Sequence, residues 1–155
     1  MRIVVAVVGK PRDAGGLATA IHDYETRASR YWPLDVREVR EESGRSLSND
    51  QVRNREAERL AALLPAGAHV VACEIGGASM TSETFADWVQ RRREDARDLA
   101  FVIGGAHGLG EAIQRVANSR LALAPWTLPH ELARLVLAEQ LYRAGTIVRR
   151  EPYHK

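Results

Sequence analysis

Apolar positions along the chain fall into two alternating kinds of run. The first kind is short, β-branched and bounded by Gly or Pro. Residues 3–8 (IVVAVV) end at Gly9 and Pro11 and predict a buried strand. Residues 70–75 form a second such run, broken by Gly76 and Gly77, and residues 99–103 a third. Residues 34–39 alternate instead, with Leu34, Val36 and Val39 set among charges, which predicts an edge strand. Residues 121–123 read as a brief last strand. The second kind of run has helical spacing. Leu17, Ala18, Ile21, Tyr24 and Ala28 share one face of a helix over residues 14–30, which Trp32 and Pro33 end. Residues 41–49 are polar, carry Gly44 and several serines, and read as a mobile loop. Ser48 caps a helix over residues 50–64, with Gln51 at the capping-box position. Thr81 or Ser82 caps the next, whose apolar face is Phe85, Trp88 and Val89. Residues 111–117 predict a short helix and residues 130–144 a long one. Strand and helix thus alternate, the pattern of an α/β fold with a mainly parallel sheet. No repeat or linker interrupts it, so residues 1–155 read as a single domain.

Composition narrows the partners. Of 155 residues, 45% are hydrophobic, enough for a real core, and the formal charge is +2. That small excess is not the footprint of a strongly basic nucleic-acid module. Cys73 is the one cysteine, which excludes an intramolecular disulfide and a multi-Cys metal site, and the histidines show no metal spacing. The apolar run at the N-terminus is short and is followed by Lys10, Arg12 and Asp13, unlike a signal peptide. No run approaches the length of a membrane span. A soluble cytoplasmic protein without a metal is expected.

The candidate chemistry centres on residues 101–110. An apolar strand runs into Gly104 and Gly105, two more glycines follow at 108 and 110, and a helix begins. A ligand crevice at the carboxyl end of a parallel strand is the general rule for open α/β sheets. The glycines run G-G-x-x-G-x-G, which is not the dinucleotide fingerprint, and the G-K-S/T of a phosphate loop is absent. A tight turn without a ligand remains open on spacing alone. Three loops follow strand ends, at residues 74–80, 104–110 and 124–129, and a parallel sheet brings them to one edge as walls of one pocket.

The motifs add up to a resemblance. Ile103, Gly104, Gly105, Gly108 and Leu109, then Thr127-Leu128-Pro129-His130, then Arg134, then residues 138–144 (AEQLYRA), and the closing Pro152-Tyr153-His154-Lys155 occur in an order and spacing similar to the RlmH family. These are SPOUT-class methyltransferases acting on a pseudouridine of large-subunit ribosomal RNA. The similarity spans the chain, including residues 6–10 (AVVGK) and the Thr81-Ser82-Glu83 and Phe85-Ala86 segments. It implies a mainly parallel sheet flanked by helices with a C-terminal trefoil knot, a homodimer, and S-adenosylmethionine (SAM) held in the knot. Carried over by position, the cofactor contacts are Cys73, Gly105, Leu123, Ala124, Pro125, Trp126, Thr127 and Leu128. Pro125 has no N–H to offer there.

The implied reaction is methyl transfer from SAM to N3 of pseudouridine in 23S rRNA on the assembled ribosome. N3–H must lose its proton, and negative charge gathers on the uracil carbonyls. His154 is the candidate for proton transfer. Tyr153 is placed to stack on or orient the base, and Arg143 to hold negative charge or a phosphate, against the plainer reading of an ion pair with Glu139. A SPOUT methyltransferase for another RNA, such as tRNA, and a non-catalytic RNA- or nucleotide-binding module remain as alternatives.

Overall fold

The computed structural model describes residues 1–12, 15–43 and 45–154, and of residue 154 the backbone only. Five strands form one sheet: β1 (Ile3–Val8), β2 (Leu34–Val39), β3 (His69–Ala78), β4 (Leu99–Ile103) and β5 (Ser119–Leu121). All pairings are parallel and the order is β2-β1-β4-β3-β5. β2 is the edge strand its alternation predicts. Among the described residues four helices connect them, α1 (Leu17–Ala28), α2 (Asn49–Ala62), α3 (Ser82–Glu94) and α4 (Glu111–Val116), and α5 (His130–Val148) follows the last strand. A short 3-10 turn, Pro152–His154, follows.

Strand alternation sorts the core into two layers. Ile3, Val5 and Val7 of β1 and Leu99, Phe101 and Ile103 of β4 pack with Phe85, Val89, Leu137 and Leu141, beneath α1, α3 and α5. Val4, Ala6, Val8, Ala100 and Val102 face the other way, onto Ala57, Leu60 and Ile113 of α2 and α4. Both faces of the sheet are covered, which is why β1 and β4 read as unbroken apolar runs.

The structure corrects several boundaries. The third strand does not stop at Gly76 and Gly77 but continues through them to Ala78, with an irregularity against β5 in which Cys73 and Ala78 both pair Leu121. A side chain at Gly77 would sit 2.6 Å from the Leu121 backbone. The glycine is a close approach of two chains, not a stop. β5 spans Ser119–Leu121, two residues earlier than expected, because it follows the register of β3. α5 runs four residues past 144, since Gly145 and Thr146 are buried against the body of the protein and keep the helix going. α1 starts at Leu17, behind Gly16 in the left-handed region; the expected start at Ala14 lies outside the described residues, as does Gly44. Thr81 is the cap of α3, accepting the Thr84 N–H at 3.1 Å. Ser48 and Gln51 form the expected capping box, although α2 ends at Ala62.

Two long-range polar contacts fasten α5. The indole N–H of fully buried Trp32 donates to the Leu141 carbonyl at 2.8 Å. The buried Arg134 guanidinium donates to Glu25 at 2.7 and 3.2 Å and to Glu38 at 2.8 Å, tying α5 to α1 and β2. Removing the cation leaves half-buried Glu25 and exposed Glu38 without their shared partner. Arg134→Met is therefore expected to lower stability by about 2 kcal/mol, read by urea unfolding. Arg134→Lys should recover only part, because an ammonium cannot bridge both acids with a planar fork.

Candidate functional site

The carboxyl ends of β3, β4 and β5 open into one cavity of about 860 Å³. Its walls come from Cys73 and Glu74 midway along β3, level with Ile103 at the end of β4, the turn 104–109, the loop after β5, and the start of α5 at His130 and Ala133. Arg53 of α2 and Gln114 of α4 close one side. Volume and lining suit a nucleoside-sized ligand: apolar Ile103, Leu123 and Leu128 stand among a few polar side chains.

The glycine turn owes its shape to what lies behind it. The Gly108 N–H donates to the Gly105 carbonyl at 3.1 Å, and Gly108 has φ +82°. A Cβ on Gly105 would lie 2.9 Å from Glu56 Oε1 and 3.2 Å from Val8 Cγ1. Neither residue lines the cavity. Glycine at 105 thus lets the turn sit down on α2 and β1, while the other side of the same backbone faces the cavity. The Asn54 side chain accepts the Glu111 N–H at 3.2 Å, so α2 also holds the start of α4.

Cys73, Gly105, Leu123, Ala124, Trp126, Thr127 and Leu128 all line the cavity. Pro125 is exposed and does not. Burial pushes the Cys73 thiol up to about 12, so it is protonated at neutral pH. Trp126 is 76% exposed and, with exposed Ile75, forms an apolar rim. His130 opens α5 with Nε2 3.3 Å from Glu41, a tie to the loop after β2. Glu74 accepts from Gln114 at 2.7 Å and pairs with Arg120 at 3.4 Å.

Arg143 and Tyr153 do not meet this cavity within one chain. Thirteen residues of helix separate Arg143 from His130, a rise of about 20 Å. Arg143 donates to Glu139 at 2.6 and 3.0 Å and stacks 4.9 Å from the centre of the Tyr153 ring. Tyr153 reaches Glu139 at 3.2 Å and Tyr24 at 3.3 Å, and its ring packs on Tyr142. Burial raises the Tyr153 phenol, so it serves as a donor or a stacking surface. The His154 side chain and Lys155 lie outside the described residues. Among the described residues no group of His, Cys, Asp and Glu is arranged to hold a metal. His69 instead meets Ser119 at 2.9 Å and packs on Trp88.

Sequence reasoning placed Glu74 in a pocket wall, where it is found, and missed Arg53, Gln114 and Glu56. Glu56 left a readable signal: it breaks the apolar stripe Val52, Ala57, Leu60 on α2 at helical spacing, and all four are buried. Its Oε2 accepts the Glu42 N–H at 3.2 Å, and its Oε1 is buried without a hydrogen-bond partner among the described residues. Burial raises this carboxyl above the usual range, and Glu41 adds to the effect; the Glu42 N–H, His107 and Arg59 act against it.

Known proteins agree with this architecture. The family model described as "Predicted SPOUT methyltransferase" matches residues 1–154. Ribosomal RNA large subunit methyltransferase H of Gemmatimonas aurantiaca is 68% identical over all of both chains. The protein of the same name from an Anaeromyxobacter species is 47% identical over all of both. Two crystal structures share the fold at low identity. TrmJ from Z. mobilis has a TM-score of 0.50 and 17% identity over 93% of this chain and 70% of its own. A probable methyltransferase from Bordetella pertussis has a TM-score of 0.51 and 14% identity over 92% of this chain and 95% of its own. With a family model spanning nearly every residue and relatives matched end to end, this chain belongs to the SPOUT methyltransferase family.

Proposed function

We propose that the chain uses SAM to methylate N3 of a pseudouridine in large-subunit (23S) rRNA on the assembled ribosome, and that it works in the cytoplasm as a homodimer. The observation that carries this reading is the cavity at the ends of β3, β4 and β5, lined by seven of the eight residues assigned to the cofactor. The end-to-end identity to relatives named for the large subunit supports the substrate class. No helix among the described residues is long and apolar enough to cross a membrane.

SAM supplies an electrophilic methyl group on a sulfonium. The protein's part is to hold, orient and exclude. Leu123, Leu128 and Ile103 give apolar walls, and the main chain of residues 104–105, 123–124 and 126–128 gives the polar contacts. Cys73 must not compete as a nucleophile. A thiolate beside a sulfonium would take the methyl group, and the protonated thiol does not. The implied trefoil knot would bring the loops after β4 and β5 together around the cofactor.

Arg143, Tyr153 and His154 complete the site from the second subunit. The separation of Arg143 and Tyr153 from the cavity in their own chain is what supports this division. Glu139 holds Arg143 and Tyr153 as one preformed unit before the base arrives. In that unit Arg143 steadies charge on a uracil carbonyl, Tyr153 orients the base, and His154 accepts the N3 proton.

Three outcomes are expected. Labelled SAM should transfer methyl to ribosomes lacking the modification, mainly when the subunits are assembled, and mass spectrometry should locate it on N3 of a pseudouridine. Label on tRNA alone would favour the other SPOUT reading, and SAM binding without label anywhere would favour a binding module. Gly105→Val should lift the turn off Glu56 and Val8 and weaken SAM binding at least about tenfold by calorimetry, with far-UV circular dichroism unchanged. Deleting residues 153–155 should abolish turnover while SAM affinity and dimer mass in light scattering hold.

A further inference from the structure

Glu56 stands out against the rest of the molecule. It is an acid in the apolar layer between α2 and the sheet, 3% exposed, with one oxygen hydrogen-bonded and the other not. An unpaired buried carboxylate oxygen costs stability. Such a departure from local rules is most often tolerated where a site needs it. The unpaired oxygen is aimed at Gly105, 2.9 Å from where a Cβ would be, and Gly105 is a wall of the cavity. Only the thickness of one glycine separates the acid from the ligand space.

Methyl transfer changes the cofactor's charge. SAM carries a sulfonium; its product, S-adenosylhomocysteine (SAH), is a neutral thioether of otherwise the same shape. A negative charge behind the wall, in surroundings that screen it weakly, tells the two apart without touching either. We propose that Glu56 is the residue that discriminates the charged cofactor from the neutral product, favouring SAM and easing release of SAH. This inference rests on the SAM reading of the cavity.

Among the described residues the charged and titratable groups around Glu56 are few. Glu41 and Glu42 face it from the loop after β2, Arg59 from its own helix, and His107 from the glycine turn; β1 presents apolar Val8. Glu42 is itself paired with Arg59. Glu41 reinforces the negative field, and His107 opposes it when protonated.

Calorimetric titration of the full-length protein with SAM and with SAH, wild type against Glu56→Gln, tests the inference. Gln keeps the shape and can still accept the Glu42 N–H. The expected result is SAM affinity lowered about tenfold with SAH affinity unchanged. Equal losses for both ligands would mean a purely structural acid, and no change in either would mean an idle one; both overturn the inference and leave the SAM reading intact. If the wild type binds neither ligand, the SAM reading falls and takes the inference with it. Should Glu56→Gln fail to fold, the wild-type preference for SAM over SAH is measured against pH. It is expected to fall from neutral towards mildly acidic pH, as the raised carboxyl takes up its proton, and to do so also in His107→Gln. A preference that is flat with pH, or a dependence that vanishes in His107→Gln, overturns the assignment.

Discussion

An all-parallel sheet cannot be solvated on either face, and each of its strands must be re-entered from the same end. Those two constraints organise the molecule. The first demands helices on both sides, which is why α1, α3 and α5 cover one face and α2 and α4 the other. The second sends every loop that leaves a strand to one edge. There the ends of β3, β4 and β5 must part to make way for their crossovers, and the parting is the cavity. The site is a by-product of topology before any side chain is chosen for chemistry.

Side chains then give that edge its character. The turn after β4 is pressed onto α2 and β1 through Gly105, and α4 is anchored to α2 through Asn54. α2 thereby supports two walls of the cavity while contributing only Arg53 to its lining. Farther along α5 Glu139 gathers Arg143 and Tyr153, so these two residues are ordered away from the cavity of their own chain.

The layers were legible because burial on both faces leaves β1 and β4 as uninterrupted apolar runs, and the helix starts because Ser48 and Thr81 announce themselves through side-chain caps. Gly77 misled because a glycine permitting close approach of two strands looks the same in sequence as one that ends a strand. α5 outran its expected end because Gly145, a poor helix former in isolation, is held by tertiary contact. The cavity walls were readable from family motifs; Arg53 and Gln114 were not, because each reaches the cavity by packing between elements distant in sequence, and Glu56 showed only as a polar break in the apolar stripe of α2. Pro125 was assigned by position in a motif, and its exposed place in the loop keeps it off the lining.

The fastening of α5 has a temporal side. Trp32 finds its acceptor at Leu141 and Glu25 its cation at Arg134, each across 109 residues. Until α5 has emerged, an indole and two acids near the beginning of the chain wait without partners, and the face that α5 shares with α1 and α3 is only partly covered. Contacts at such sequence distance form slowly. During synthesis the nascent chain must therefore hold an incomplete core, with one apolar face only partly covered, for as long as translation takes to reach α5, and that interval is when it is most exposed to aggregation and to chaperones.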